Sequence, residues 1–259
     1  MSELPFFTII TSTYNAASTL PHLLDSLASQ TCRDFNWIVQ DGASSDATMQ
    51  IVEQYRDRLP EVLANSSKDN GIYDAWNKAI NHWQDRLGEW ILFLGADDML
   101  AEQSVLDRVQ QKIQHTDSQK IFASGHILII ETATGKIIKK LDGKSNTFSK
   151  RFHGMSIPHT GLFSRKKLFT SPYFDAQFQI SGDYDFILKH WTQKNQMLDL
   201  DLIITKMGNL GISQTQSSEK EDFIAIKKHS IFLACIYIIR KKLKTFLKLL
   251  LTKYIKNII

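Results

Sequence analysis

The sequence predicts an α/β protein: a mostly parallel, twisted sheet flanked by helices, with a small antiparallel region and a C-terminal amphipathic helix. Three observations carry that expectation. Apolar runs of strand length alternate with helix-period segments through the first ~110 residues, which implies right-handed βαβ crossovers. A polar cluster follows each run: Tyr14-Asn15, Asp41, Lys68-Asp69 and Asp97-Asp98. Ligands of open parallel sheets sit outside the carboxyl ends of the strands. Each cluster alone is an ordinary cap or turn; four in succession mark a candidate binding edge. Finally, Ile91 to Leu94 is unbroken apolar sequence, as expected of a strand buried on both faces.

Taken in order, Phe6 to Thr11 reads as a first strand running into Ser12-Thr13-Tyr14-Asn15. The next helix has Ser18 or Thr19 as cap, Pro21 in its first turn and Leu20, Leu23, Leu24 and Leu27 on one stripe. A second strand, Phe35 to Gln40, ends in Asp41-Gly42-Ala43-Ser44-Ser45-Asp46, and Asp46 caps a helix carrying Met49, Ile51, Val52 and Tyr55. Glu61 to Ala64 is a short third strand. A helix follows with Ile72, Ala75, Trp76, Ala79 and Ile80 facing inward, and Tyr73 is expected in core or pocket wall. Past Leu100 a helix spans Gln103 to His115. Lys120 to Ser124 and His126 to Glu131 read as two strands, with a turn at Thr134-Gly135 before a third, Lys136 to Leu141. Gly143 to Gly154 reads as a polar, basic loop, and a helix begins near Asp183.

Composition bounds the function. The 259 residues allow one large domain with an appendage, and a 43% apolar fraction fits a real core. Cys32 and Cys235 match no zinc spacing, so two plain thiols in a reducing compartment are expected. Met1 to Phe7 lacks a basic region followed by a long apolar stretch, so no secretion signal is expected. The 31 Lys and Arg against 27 Asp and Glu give +4, but nine of the basic residues follow position 226, where there is no acid. The preceding residues hold 22 against 27, a net −5. A mildly acidic body with no reader motif argues against nucleic acid. In the tail, Ile231 to Ile239 is too short an apolar run to span a bilayer. As a helix, Lys241, Lys244, Thr245, Lys248, Thr252 and Lys256 share one face, with Leu243, Phe246, Leu247, Leu250, Tyr254 and Ile258 toward the others. Such a helix lies on an anionic membrane surface; the alternative is packing against the domain or a second subunit.

Paired acids at the end of a buried strand need an explanation, since burying unpaired charge costs several kcal/mol. Asp97 and Asp98 either hold a hard divalent cation, Mg2+ or Mn2+ beside phosphates, or form an acidic turn capping the helix that begins near Glu102. Lys78 is either a solvated residue or a phosphate contact. His159 reads as structural or as a fallback base, and Asp183 and Asp185 as helix-cap acids or catalytic groups.

Four motifs sharpen these readings: Thr11-Ser-Thr-Tyr14-Asn15, Asp41-Gly-Ala-Ser-Ser-Asp46, Asp69-Asn-Gly-Ile-Tyr73-Asp-Ala-Trp-Asn77-Lys78 and Leu94-Gly-Ala-Asp97-Asp98. Together, over about residues 5 to 210, they resemble family 2 of the glycosyltransferases, GT-A-fold enzymes that use nucleotide-sugar donors and mostly invert. The likeness is greatest to bacterial enzymes of capsule, exopolysaccharide or O-antigen synthesis. It implies that Asp41 recognises the base, with uracil favoured, and that Tyr14 and Asp69 line the nucleotide pocket. Thr11, Asn15 and Lys78 are the further donor-binding candidates. It makes Asp97, with Asp98 beside it, the metal site and Asp183 the general base. Gly95 stands where the family often has Asp or Asn.

The expected organisation is a glycosyltransferase domain over 1–215, with a nucleotide-sugar half (1–100) and an acceptor half (101–215), then a membrane-associating region over 216–259. The expected activity is inverting, metal-dependent transfer to a lipid-linked saccharide by an enzyme peripheral to the cytoplasmic face of the inner membrane. Two alternatives stay open: a catalytically inactive scaffold of the same family, and a sugar nucleotidylyltransferase. The latter wants a Gly-rich loop after the first strand, and Thr11 to Ala17 has no glycine. A dinucleotide-dependent oxidoreductase is excluded for want of Gly-x-Gly-x-x-Gly.

Overall fold

The computed structural model describes residues 3–209 and 218–256. The expected boundary at 215/216 lies outside them, as do Ile258 and the side chains of Lys244, Thr245, Phe246, Lys248, Leu250, Thr252, Tyr254 and Lys256.

The donor-side half is built as expected. Strands β1 (Phe7–Thr13), β2 (Phe35–Asp41), β3 (Val62–Ser66) and β4 (Trp90–Phe93) are parallel, in the order β3-β2-β1-β4. Helices α1 (Leu20–Ala28), α2 (Thr48–Gln54) and α3 (Ile72–His82) make the crossovers. Side chains alternate across a strand, so the sheet separates two apolar layers. Ile9, Trp37 and Leu92 pack with the leucine stripe of α1. Ile10, Ile38, Ile91 and Phe93 pack with α3. Within α3 the inward position is taken by Tyr73, which is buried, whereas Ile72 is exposed. Asp46 sits one residue before the cap of α2, and its carboxylate accepts from Thr48 N and Oγ1 and from Ala17 N.

Beyond β4 the sheet changes character. Asp97-Asp98 do not cap a helix: Asp98 begins a short strand, β5 (Asp98–Leu100), and α4 (Val105–Ile113) starts later. Phe122–Ile130 is one continuous strand, β6, where two had been expected; the ladder shifts register around Gly125 instead of breaking. β6 pairs with β7 (Ile137–Leu141) as the expected antiparallel hairpin. Two further strands were not among those expected. β8 (Leu162–Arg165) lies antiparallel to β4 and β6, and β9 (Met197–Gly208) runs parallel to β6 and antiparallel to β5. Together the nine strands form one sheet, ordered β3-β2-β1-β4-β8-β6-β9-β5 with β7 on β6.

Three helices close the face that carries α3: α5 (Gly182–His190), α6 (Glu219–His229) and α7 (Ile231–Lys256). Ala225 and Ile226 of α6 and Ala234 and Tyr237 of α7 belong to the same apolar cluster as Ile10 and Phe93. The start of the C-terminal helix therefore packs against the domain. Among the described residues, no helix is long and apolar enough to cross a membrane.

Candidate active site

The parallel register sets Thr13 beside Asp41 and Asp41 beside Ser66, a row across the carboxyl ends of three strands. Asp41 is fully buried. Its Oδ1 accepts from Thr13 Oγ1 at 2.9 Å and Ser44 Oγ at 2.5 Å. Its Oδ2 accepts from Ser44 N at 2.9 Å and Ser66 Oγ at 2.6 Å. Burial pushes the carboxyl up, but these four donors outweigh it and hold it below the usual carboxylate range. Gly42 follows because no larger residue fits: a Cβ there would lie 2.8 Å from Asp69 Oδ2 and 3.4 Å from Tyr14 Cδ2. Asp41, Asp69 and Tyr14 are thus gathered at one point, with Tyr14 70% exposed. Asn15 takes the left-handed conformation its type tolerates (φ 49°) and ties two loops together, accepting from Ser45 N and donating its own N–H to Ser44 Oγ.

Two of the donor-site candidates are engaged elsewhere. Thr11 is fully buried, and its hydroxyl accepts from the Trp37 indole at 3.0 Å, so it is a core residue and not part of this edge. Lys78 is held by Asp74 at 3.0 Å and donates to the Lys68 carbonyl at 2.5 Å, which fastens α3 to the loop before it.

After β4 the chain turns at Gly95, whose N–H donates to Asp98 Oδ2 at 2.7 Å. A Cβ at Gly95 would meet Asp97 Oδ1 at 2.9 Å and Asp98 Oδ2 at 3.1 Å. Here the glycine makes room for two converging carboxylates. Burial raises the Asp97 pKa; burial and then the Asp97 charge raise that of Asp98 well above its ordinary value. Asp98 Oδ1 is buried without a partner among the described residues. An orphaned carboxylate oxygen beside a second acid fits a hard divalent cation, whose charge removes this penalty. No cluster of three or more metal-binding side chains occurs among the described residues.

Asp183 lies in the first turn of α5. Its Oδ1 accepts from Tyr184 N at 2.8 Å and from Tyr73 Oη at 3.1 Å. Among the described residues no donor reaches Oδ2. With fewer donors than Asp41, burial wins and the carboxyl is pushed up to about 6. Asp185 points away, bonded to Lys228 at 2.8 Å and His229 at 3.1 Å. Burial pushes it up, but those two partners hold it below the usual range. It fastens α5 to α6. His159 is stacked against both Trp76 (5.0 Å) and Phe93 (5.3 Å), and burial drives its pKa down to about 3. It is a neutral ring in the wall, a weak base.

The Tyr73 hydroxyl is the site feature the sequence conceals. Its single proton is shared between Asp183 Oδ1 at 3.1 Å and the Ile180 carbonyl at 2.6 Å, joining α3 to the Asp183 turn across more than a hundred residues. Only its place on an inward helix stripe is visible locally. The Ser66 hydroxyl on Asp41 needs strand register to be found, whereas Ser44 lies only three residues on and is a local signal.

The family model for glycosyl transferase family 2 matches residues 8–169. A PGL/p-HBAD biosynthesis glycosyltransferase of Mycobacterium tuberculosis is 33% identical over 188 residues, covering 71% of this chain and 69% of that protein. The fold is similar to that of S. aureus TarS 1–349 in complex with UDP-GlcNAc (TM-score 0.64, 22% identity, 85% of this chain and 64% of that one). It is also similar to the mannosyltransferase PcManGT from Pyrobaculum calidifontis in complex with GDP-Man and Mn2+ (TM-score 0.57, 17% identity, 92% and 65%).

Proposed function

The chain belongs to glycosyl transferase family 2, and from that premise we propose that it moves a sugar from a UDP-sugar to a lipid-linked saccharide with inversion. The observation that carries this reading is Asp183: a carboxylate with one free oxygen and a pKa near neutrality, set across α3 from the donor edge. An acceptor hydroxyl is a poor nucleophile until its proton is taken. Asp183 Oδ2 receives that proton while the hydroxyl oxygen bonds the anomeric carbon, and the bond to the diphosphate breaks on the opposite face. Proton removal of this kind contributes typically 10²–10⁴-fold. One displacement, with no covalent enzyme intermediate, inverts the centre.

Tyr14, Asn15, Asp41 and Asp69 hold the nucleotide end of the donor. Asp41 is filled by hydroxyl donors, so a base N–H reaches it by displacing the hydroxyl of Ser44 or Ser66. Lys78 contacts phosphate only by releasing Asp74. Asp97 and Asp98 hold Mg2+ or Mn2+, which when bound acts as a Lewis acid on the leaving diphosphate. The structure of TarS with UDP-GlcNAc supports uridine as the base and an N-acetylhexosamine as one candidate sugar. The mycobacterial relative's name, a glycosyltransferase of PGL/p-HBAD biosynthesis, supports glycosyl transfer in a biosynthetic pathway. Capsule, exopolysaccharide or O-antigen synthesis is the proposed setting.

The outward face of α7 supports a membrane-surface location at the cytoplasmic side. At 3.6 residues per turn, Phe232, Ile239 and Leu243 fall on one stripe, and all three are exposed. Arg240 and Lys242, also exposed, flank it. An apolar stripe edged by cations suits an anionic lipid surface. The test is transfer itself: a panel of nucleotide sugars is screened for thermal stabilisation, and each binder is assayed with Mn2+ and lipid-linked saccharides. Acceptor-dependent UDP release with an inverted product supports the proposal. Donor binding without any transfer points to the inactive scaffold, and release of sugar 1-phosphate and UTP only when pyrophosphate is added points to a nucleotidylyltransferase.

A further inference from the structure

We infer that Glu221, on α6, is a positioning residue for the base: its carboxylate holds the three-residue run that leads into Asp183. The inference rests on Asp183 being the base. Glu221 Oε2 accepts the backbone N–H groups of Ile180 and Ser181, each at 2.8 Å. The Gln179 N–H donates to Oε1 at 2.9 Å and to Oε2 at 3.1 Å. Three successive N–H groups converging on one anion make a backbone nest, and α5 begins at the next residue, Gly182. The same run is gripped from the other side, because its Ile180 carbonyl accepts from Tyr73 Oη. Asp222 adds a bond from Ser181 Oγ at 2.8 Å.

The run reaches the donor edge as well. A Cβ at Gly71, two residues past Asp69, would lie 3.4 Å from Gln179 Oε1. Glu221 therefore sets the base against the loop that lines the nucleotide. Mere docking of α6 does not require it, since Ala225 and Ile226 are fully buried and Asp185 pairs with Lys228 and His229. The titratable groups that bear on Asp183 are Tyr73 from α3 and Glu221 from α6; the like charge of Glu221 acts in the same direction as burial.

Glu221→Gln keeps an acceptor oxygen and removes the charge; Glu221→Ala removes both. Both are assayed in the full chain with saturating acceptor, from about pH 5 to 9, beside their thermal midpoints and Asp183→Asn. For Glu221→Ala, kcat should fall at least about tenfold while the donor KM stays within about twofold, as expected for a misplaced base. Glu221→Gln should keep most of its kcat at about pH 8 and carry its acid limb to lower pH, because a like charge beside Asp183 is gone. Should the alanine variant fail to fold, the glutamine variant's acid limb decides alone. Wild-type kcat and an unmoved acid limb in the folded variants, with Asp183→Asn inactive, would overturn the positioning role. Wild-type turnover by Asp183→Asn would instead overturn the base assignment, and the catalytic meaning of Glu221 with it.

Discussion

In the donor half, Asp41 has no exposed surface and yet stays ionised, because three hydroxyls and an amide fill its four acceptor positions. In the base-bearing half, Asp183 has donors on one oxygen alone among the described residues, and burial raises its pKa to about 6. Burial pushes both carboxyls up, and the balance between burial and donors decides the charge: four donors outweigh it at Asp41, and two do not at Asp183. The two halves differ in kind for that reason. Parallel strand ends in fixed register supply Thr13 and Ser66 to Asp41, and Ser44 in the loop after β2 supplies the other two donors. Asp183 sits at a helix start reached by one tyrosine from a distant element. A permanently charged group suits binding, and one poised near neutrality suits proton transfer.

The comparison can be broken from the metal side first, where the largest effect is expected. Asp97→Asn should abolish transfer and erase the Mn2+ dependence of UDP affinity, with the thermal midpoint retained; titration calorimetry with and without Mn2+ checks this. Metal-dependent UDP binding by the variant would remove Asp97 from the site. Next in size is Asp41→Ala, which should weaken UDP binding by the ~1.5–3 kcal/mol of a charged hydrogen bond. Equal UDP affinity in wild type and variant would leave Asp41 a purely structural anchor.

The membrane face should contribute less per residue, roughly 1 kcal/mol for each Lys or Arg near an anionic surface. Vesicle sedimentation should show the full chain binding anionic but not neutral lipid, with release at high salt. Phe232→Asp with Leu243→Asp should abolish binding and preserve turnover on a soluble acceptor. If those substitutions dissociate a dimer instead, the face belongs to a second copy. Cutting the chain before α6 is no substitute, because Ala225, Ile226, Ala234 and Tyr237 are core residues.

The smallest effect sharpens the electrostatic contrast. Asp183 has a folded-state pKa raised above the ordinary carboxylate value, so its charge opposes folding above about pH 6, and the cost fades as pH falls through 6 toward 4. Asp41 has the opposite sign: its contribution is present above the unfolded pKa and lost as pH falls through its depressed folded value. Asp183→Asn should therefore raise the thermal midpoint at about pH 7.5 by a few degrees and leave it unchanged near pH 4. A lowered midpoint at neutral pH would contradict the sign.

The donor half was legible because its signals are local. Apolar runs set β1 to β4, and each run ended in the residues that form the edge, as with Asp41 and Asp97. The mixed half was harder to read. β9 carries a clear alternation at Leu198-Asp-Leu-Asp-Leu202 that the expected strands do not include, and β8 is only four residues long. Thr11 shares a motif with Tyr14 but belongs to the core, because strand alternation sends it to the opposite side from its neighbours and the Trp37 indole claims it. Tyr73 is in the core as expected, but Ile72, expected inward, is exposed, and the role of the tyrosine's hydroxyl at Asp183 comes from a distant element. Nothing in a helix-period pattern carries that information.

The most direct test of the central claim is kcat against pH for wild type and Asp183→Asn, at saturating donor and acceptor, with UDP-sugar affinity measured in parallel. Wild-type turnover should fall tenfold per unit below about pH 6, where Asp183 holds its proton. The variant should be slower by about 10²–10⁴-fold at pH 8, should lose that acid limb, and should bind the donor as wild type does. A variant within about tenfold of wild type that keeps its limb near pH 6 would show that another group takes the proton.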